Sequence, residues 1–221
     1  FDYYSKNKMR ESAAMKFGTA FHSYLLEPEK FKEDFAIEPN VDKRTTLGKV
    51  TWTKFVDKNI RKEWVSEDNI SIIKEMSLAI KANKHYSLFD DCLMEHIHLW
   101  KNESKDILCK CKVDAINFDK GYIIDVKTTR DASPKTFEEI IIKNKYHMQA
   151  AYYLDGTGLN TYYIFAIEKT RPYGVSVYKM GKSIIEKGRE EYIKGISIMQ
   201  EMKTLGITGY NNDKIKTVTW S

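Results

Sequence analysis

The hydrophobic rhythm of the chain changes as it proceeds. Residues 11–26 (ESAAMKFGTAFHSYLL) put Ala14, Phe17, Phe21 and Leu25 on one stripe at three- and four-residue spacing, the repeat of an amphipathic helix. Glu27-Pro28 ends that helix, because proline cannot continue the hydrogen-bond ladder. Residues 47–63 and 66–84 predict two further helices, the second with Ser66 as N-cap and Asn69 three residues on. From residue 92 the repeat falls to two. Residues 92–100 (CLMEHIHLW), 107–117 (ILCKCKVDAIN) and 121–128 (GYIIDVKT) read as consecutive strands joined by short polar turns. Ser133 and Pro134 open a helix over 134–144, and 146–155 is another, closed by Gly156. Strands follow at 161–168 and 174–180, then a charged amphipathic helix at 181–204. This order predicts an α/β domain around a mixed central sheet. It divides 1–221 into a mainly helical part (1–90), a core (91–180) and a C-terminal helix and tail (181–221).

The most informative segment runs from Lys112 to Lys127. With a turn between Asp119 and Lys120, residues pair antiparallel so that their numbers sum to 239. Val113 then faces Val126 and Ala115 faces Ile124, giving an apolar side, while Lys112, Asp114, Asp125 and Lys127 share the other. A one-residue slip would destroy this sorting. Two adjacent carboxylates repel unless a cation lies between them, and hard oxygen ligands suit Mg²⁺ or Mn²⁺. The Val126 carbonyl could add an oxygen. A lysine beside such a metal can orient or help activate a water, or stabilise charge on a phosphate. Two acids and a lysine are also common on a plain solvated strand face.

Flanking residues extend the constellation. Gln149 and Tyr153 lie one helical turn apart and can face the same site, the Gln holding a water or phosphate and the Tyr supporting a phosphate or base. His22, one turn after Gly18, can supply a nitrogen ligand, with Gly18 letting a neighbouring backbone come close. Glu95 is an accessory candidate. His96 and His98 share the side opposite to Glu95, with no third zinc ligand nearby.

Composition narrows the class. With 42% hydrophobic and 30% charged residues the chain reads as globular, and no apolar run approaches the roughly 18 residues of a membrane span. No secretory signal opens it, and it begins with Phe1 rather than Met. The net charge of +5 permits a polyanionic partner. Cys92, Cys109 and Cys111 make a poor disulfide framework and fall short of the four thiolates of an iron–sulfur site.

Asp114 followed by Asp125-Val126-Lys127 resembles the PD-(D/E)-x-K nuclease core in its D…D-x-K form, here without the proline. His22, Gln149 and Tyr153 resemble the additions of the RecB-like branch. The segments GTAFHSYLLEPEKF (18–31), IIDVKTT (123–129) and YHMQAAYYLDG (146–156) are similar to the RecE, or exonuclease VIII, family, the likeness covering about 15–180. The resemblance implies a restriction-endonuclease-like core with flanking helices. It also implies a Mg²⁺-dependent 5′-to-3′ exodeoxyribonuclease, with Mn²⁺ substituting, that acts on linear double-stranded DNA and leaves a 3′ overhang. The overhang would pass to a single-strand annealing protein in phage-type recombination within the bacterial cytoplasm. The enzyme would be a homo-oligomeric ring, a tetramer or a trimer. On this reading Asp114, Asp125, the Val126 carbonyl and His22 hold metal, and Lys127, Gln149 and Tyr153 act on water and substrate. Competing readings are an endonuclease, a nuclease module of a helicase complex, a catalytically inactive DNA-binding module, and a structural interaction protein.

Overall fold

The structure, a computed structural model, describes residues 12–102, 106–204 and 206. The chain opens with helices α1 (Ala13–Leu26) and α2 (Pro28–Asp34), strand β1 (Phe35–Ile37), helix α3 (Thr46–Lys58), strand β2 (Glu63–Val65) and helix α4 (Glu67–Lys81). A 3₁₀ turn (Tyr86–Phe89) leads to strands β3 (Leu93–Asn102), β4 (Ile107–Asn117) and β5 (Tyr122–Thr129). Helices α5 (Pro134–Lys143) and α6 (Tyr146–Thr157), strands β6 (Thr161–Glu168) and β7 (Val175–Lys179), and helix α7 (Lys182–Thr204) complete it.

The five long strands form one mixed sheet in the order β3-β4-β5-β6-β7. Only β5 and β6 are parallel, and the chain between them is long enough for α5 and α6 to cover one sheet face. Side chains of β5 alternate between two cores. Ile124 and Val126 join Phe21 of α1 and Ile73, Met76 and Ile80 of α4 on one side. Ile123 joins Phe137 of α5, Ala150 and Leu154 of α6 and Ile185 of α7 on the other. Alternation into two apolar layers is why 122–126 reads as an almost continuous hydrophobic run. The expected mixed α/β sheet with flanking helices is what the chain forms.

Several local expectations need correction. Ala14 is exposed along with the whole first turn of α1, and burial begins at Ala20. Pro28 ends α1 but also starts α2, where its missing N–H costs nothing. The helix expected over 47–63 stops at Lys58, and Glu63–Val65 instead pair in parallel with Phe35–Ile37. Strands of three residues are too short to show a two-residue repeat. Helix α6 runs past Gly156 and is capped by Gly158, which takes the left-handed conformation (φ 72°). Gly156 serves packing, since a Cβ there would lie 2.6 Å from the Trp100 ring. The tail expected beyond residue 206 lies outside the described residues.

Candidate active site

The site lies where β4 and β5 part. Their ladder holds Asn117↔Tyr122, Ile116↔Ile123 and Ala115↔Ile124, the register read from the sequence. Past that point the Val126 N–H donates to Asp114 Oδ2 at 2.7 Å, so a carboxylate occupies the place of a strand carbonyl. One strand further out, Glu95 adopts φ 50°, a left-handed backbone that is costly for a residue with a Cβ. It sits between the pairs Met94↔Ala115 and His96↔Val113. The alternation of faces resets there. Met94 and Ala115 pack on the α1 side, whereas Val113 and Cys111 pack with α5 and α6. Val113 therefore does not share an apolar face with Val126 as expected. The reset turns Glu95 and Asp114 together toward α1.

Two clusters result. In the first, one ligand atom from each of His22, Glu95 and Asp114 lies within 4.8 Å of the others. His22 Nδ1 is 3.4 Å from Asp114 Oδ1, and Glu95 pairs with Lys112. In the second, Asp125 is 3% exposed, and its Oδ1 accepts from Lys127 Nζ at 2.8 Å and from Gln149 Nε2 at 2.9 Å. Its Oδ2 is buried with no hydrogen-bond partner. Lys127 Nζ also donates to Gln149 Oε1 (3.3 Å) and stands 4.8 Å from the Tyr146 ring centroid.

Electrostatics join the clusters. Burial pushes the Asp125 carboxyl above its ordinary range, Lys127 opposing and Asp114 reinforcing the shift. For Asp114 burial acts in the same sense, but His22, Lys127 and the Val126 N–H outweigh it and lower the value. Burial would lower His22 and Lys127, yet the carboxylates raise both. The Lys127 ammonium and the His22 imidazole thus stand against the charge of the buried Asp125 and the half-buried Asp114. The imidazole and two carboxylates of the first cluster form a donor set that fits a divalent cation, and the unpartnered Asp125 oxygen lies outside that group of three.

The structure thus brings together His22, Asp114, Asp125, Lys127 and Gln149, and it moves Glu95 from the margin into the first cluster. Tyr153 stands further off. It is half-buried one turn from Gln149, its ring 6.4 Å from that of Tyr162, and burial pushes its hydroxyl up to about 12. Tyr162, absent from the sequence reading, is nearly fully buried and its hydroxyl accepts from Gln149 Nε2 at 3.4 Å. Its setting in the apolar run of β6 gave no polar signal. Gly18 makes no close approach, since nothing lies within 4 Å of a Cβ built there. It lines a cavity of about 520 Å³ over the first cluster, with Thr19, Lys30, Arg61 and Glu63. Gln149 and Tyr153 line another, of about 620 Å³, on the far side. His96 and His98 lie together with ring centroids 6.0 Å apart, and His98 Nε2 is 3.1 Å from the Gly156 carbonyl. The three cysteines are free.

A mixed sheet between helices, with an acidic pair and a lysine where two strands part, defines the class of PD-(D/E)-x-K-type domains. Residues 3–215 match the family described as "PDDEXK-like domain of unknown function (DUF3799)", and the chain belongs to that family. All of the chain overlays on 81% of a crystal structure titled "Putative exonuclease" from Eubacterium rectale, with a TM-score of 0.65 and 13% identity, a likeness of fold. The crystal structure of SSO0001 is similar over 80% of this chain and 85% of its own, at 18% identity and a TM-score of 0.36, too remote to carry an argument. No curated protein sequence matches the chain. Family and fold together support a nuclease. No helix among the described residues is long and apolar enough to cross a membrane.

Proposed function

We propose that this chain is a Mg²⁺-dependent exodeoxyribonuclease that degrades linear duplex DNA from the 5′ end and leaves a 3′ overhang. The observation that carries the reading is Asp125, buried with one oxygen held by Lys127 and Gln149 and the other left without a partner beside Asp114. Asp114, Asp125, His22 and the Val126 carbonyl would hold the cation, with Glu95 as a further ligand. A cation there would polarise a phosphodiester and lower the pKa of a bound water. Asp125 fixes the Lys127 ammonium, and the carboxylates keep it protonated, so Lys127 acts as a hydrogen-bond donor to water or phosphate. Gln149 bridges Lys127 and Asp125, holding both in register for a substrate strand that Tyr153 supports from α6.

Polarity, preference for DNA ends, the role in phage-type recombination, a ring-shaped oligomer, an annealing partner and a cytoplasmic setting rest on the resemblance to RecE-type exonucleases. The test is digestion of linear duplex labelled at either 5′ or 3′ ends, beside a circular plasmid, with Mg²⁺, Mn²⁺, Ca²⁺ or EDTA. Early release of the 5′ label, an intact circle and no cleavage in EDTA are expected. Early release from the 3′ label alone contradicts the polarity, and nicking of the circle makes the protein an endonuclease.

A further inference from the structure

The excursion between β1 and β2 is unlike the rest of the molecule. Residues 42–63 carry seven basic and three acidic side chains, a net +4 out of +5 for the whole chain. Helix α3 has no extensive packing against any other described element. The arm is organised from within instead. Thr45 caps α3 by accepting from the Gly48 N–H, and Gly48 is required because a Cβ would stand 1.9 Å from the Asp42 carbonyl. Trp52, Phe55 and Trp64 close on one another with ring centroids 5.5–5.6 Å apart, and Trp64 donates to the Asn59 carbonyl. A small aromatic core with basic residues around it stays outside the two main cores, and Trp64 is still 38% exposed.

Its position matters as much as its charge. Arg61 and Glu63, at the base of the arm, line the same cavity as His22, Glu95 and Asp114. A strand leaving the first cluster on that side meets the arm. Lys49, Lys54 and Lys58 are exposed along α3, with no partner among the described residues. Lys54 and Lys58 stand one turn apart on one face of α3, about 6 Å along its axis and close to the spacing of successive phosphates. Lys49 adds charge from the other side, and the exposed part of the Trp64 indole offers contact area to an unpaired base.

We infer that residues 42–63 with Trp64 form a DNA-binding arm, which takes substrate DNA by its phosphates through Lys54, Lys58 and Arg61, with Lys49 adding charge from the other face of α3, and stacks a base on Trp64. This rests on the nuclease reading of the adjacent site and assigns where the substrate lies relative to it. Exposed Leu47 and Val50 also occur on α3. A protein contact there, including one between two copies, is the outcome that would displace the inference. The concentration of charge favours DNA.

The test is fluorescence anisotropy of labelled single-stranded and duplex DNA with the full chain in EDTA, over a salt series. The triple variant Lys49→Glu, Lys54→Glu, Lys58→Glu should bind about 10- to 100-fold more weakly and lose about two units from the slope of log K against log salt. The corresponding Gln triple should lie between it and the wild type, with an unchanged melting temperature. Trp64→Ala should weaken single-strand binding about 10-fold, and Trp64→Phe should restore most of it. Unchanged affinity and salt slope in the Glu triple overturn the arm, as does a triple that changes only the solution mass. Cleavage is scored separately. A protein that binds DNA through the arm but cleaves none refutes the nuclease, and one that cleaves normally with the Glu triple refutes the arm.

Discussion

The two halves of the site are built differently. Asp125, Lys127 and Gln149 form a closed group in which each polar atom but one has a partner, on strand and helix elements packed from both sides. His22, Glu95 and Asp114 stand in a cavity and meet only because the strand at Glu95 turns left-handed. The first half fixes a geometry, and the second opens into the cavity. Rigidity on one side and access on the other is the arrangement expected of a site that positions a charge before the substrate arrives.

The difference can be broken most sharply at Asp125. Asp125→Asn should abolish cleavage of linear duplex and lower the melting temperature less than loss of Lys127 does, since Lys127 keeps Gln149 and the charge of Asp114 nearby while the oxygen without a partner loses its charge. Lys127→Ala comes next. Turnover should fall about 10²- to 10³-fold with a much smaller loss of DNA affinity. Stability should fall by about 3–5 kcal/mol, because Asp125 is left buried without its cation. That loss should shrink at low pH, as protonation relieves Asp125.

A smaller effect acts through packing. A Cβ at Gly188 of α7 would lie 2.1 Å from the His147 carbonyl of α6 and 2.9 Å from the Met148 nitrogen, next to Gln149. Gly188→Ala should cost about 1–3 kcal/mol in chemical denaturation and disturb the closed half before the open one. The smallest effect is on pH dependence. His22 has its pKa raised by Asp114, so the pair stabilises the metal-free protein fully below the unfolded value of 6.5. That contribution is lost as pH rises through the higher folded value. Melting temperatures of wild type and His22→Gln should therefore converge toward alkaline pH, and a constant gap would refute the coupling.

Much of this was legible in the sequence for a physical reason. Helix and strand periods write themselves into long segments, and matching Ala115 with Ile124 left one register for the ladder that forms, whereas the break before it, which sends Val113 to the other core, has no mark in the apolar pattern. The D…D-x-K pattern, His22 and Gln149 were visible because each is a polar residue interrupting an apolar stripe. Glu95 was legible only as a strand acid, since nothing in its neighbours announces φ 50°. Tyr162 was hidden because a tyrosine fits an apolar strand whether or not its hydroxyl serves a site. The short pair β1 and β2 was missed for lack of length. The basic excess of 42–63 stands out only once folding sets α3 apart from the other described elements.

The most direct test is Mn²⁺ binding, followed by electron paramagnetic resonance at fixed pH, for wild type and Asp125→Asn. Wild type should bind Mn²⁺ and Asp125→Asn should bind it about 10²-fold more weakly or not at all, with the fold intact. Equal binding by the two proteins would contradict a metal centre at Asp125.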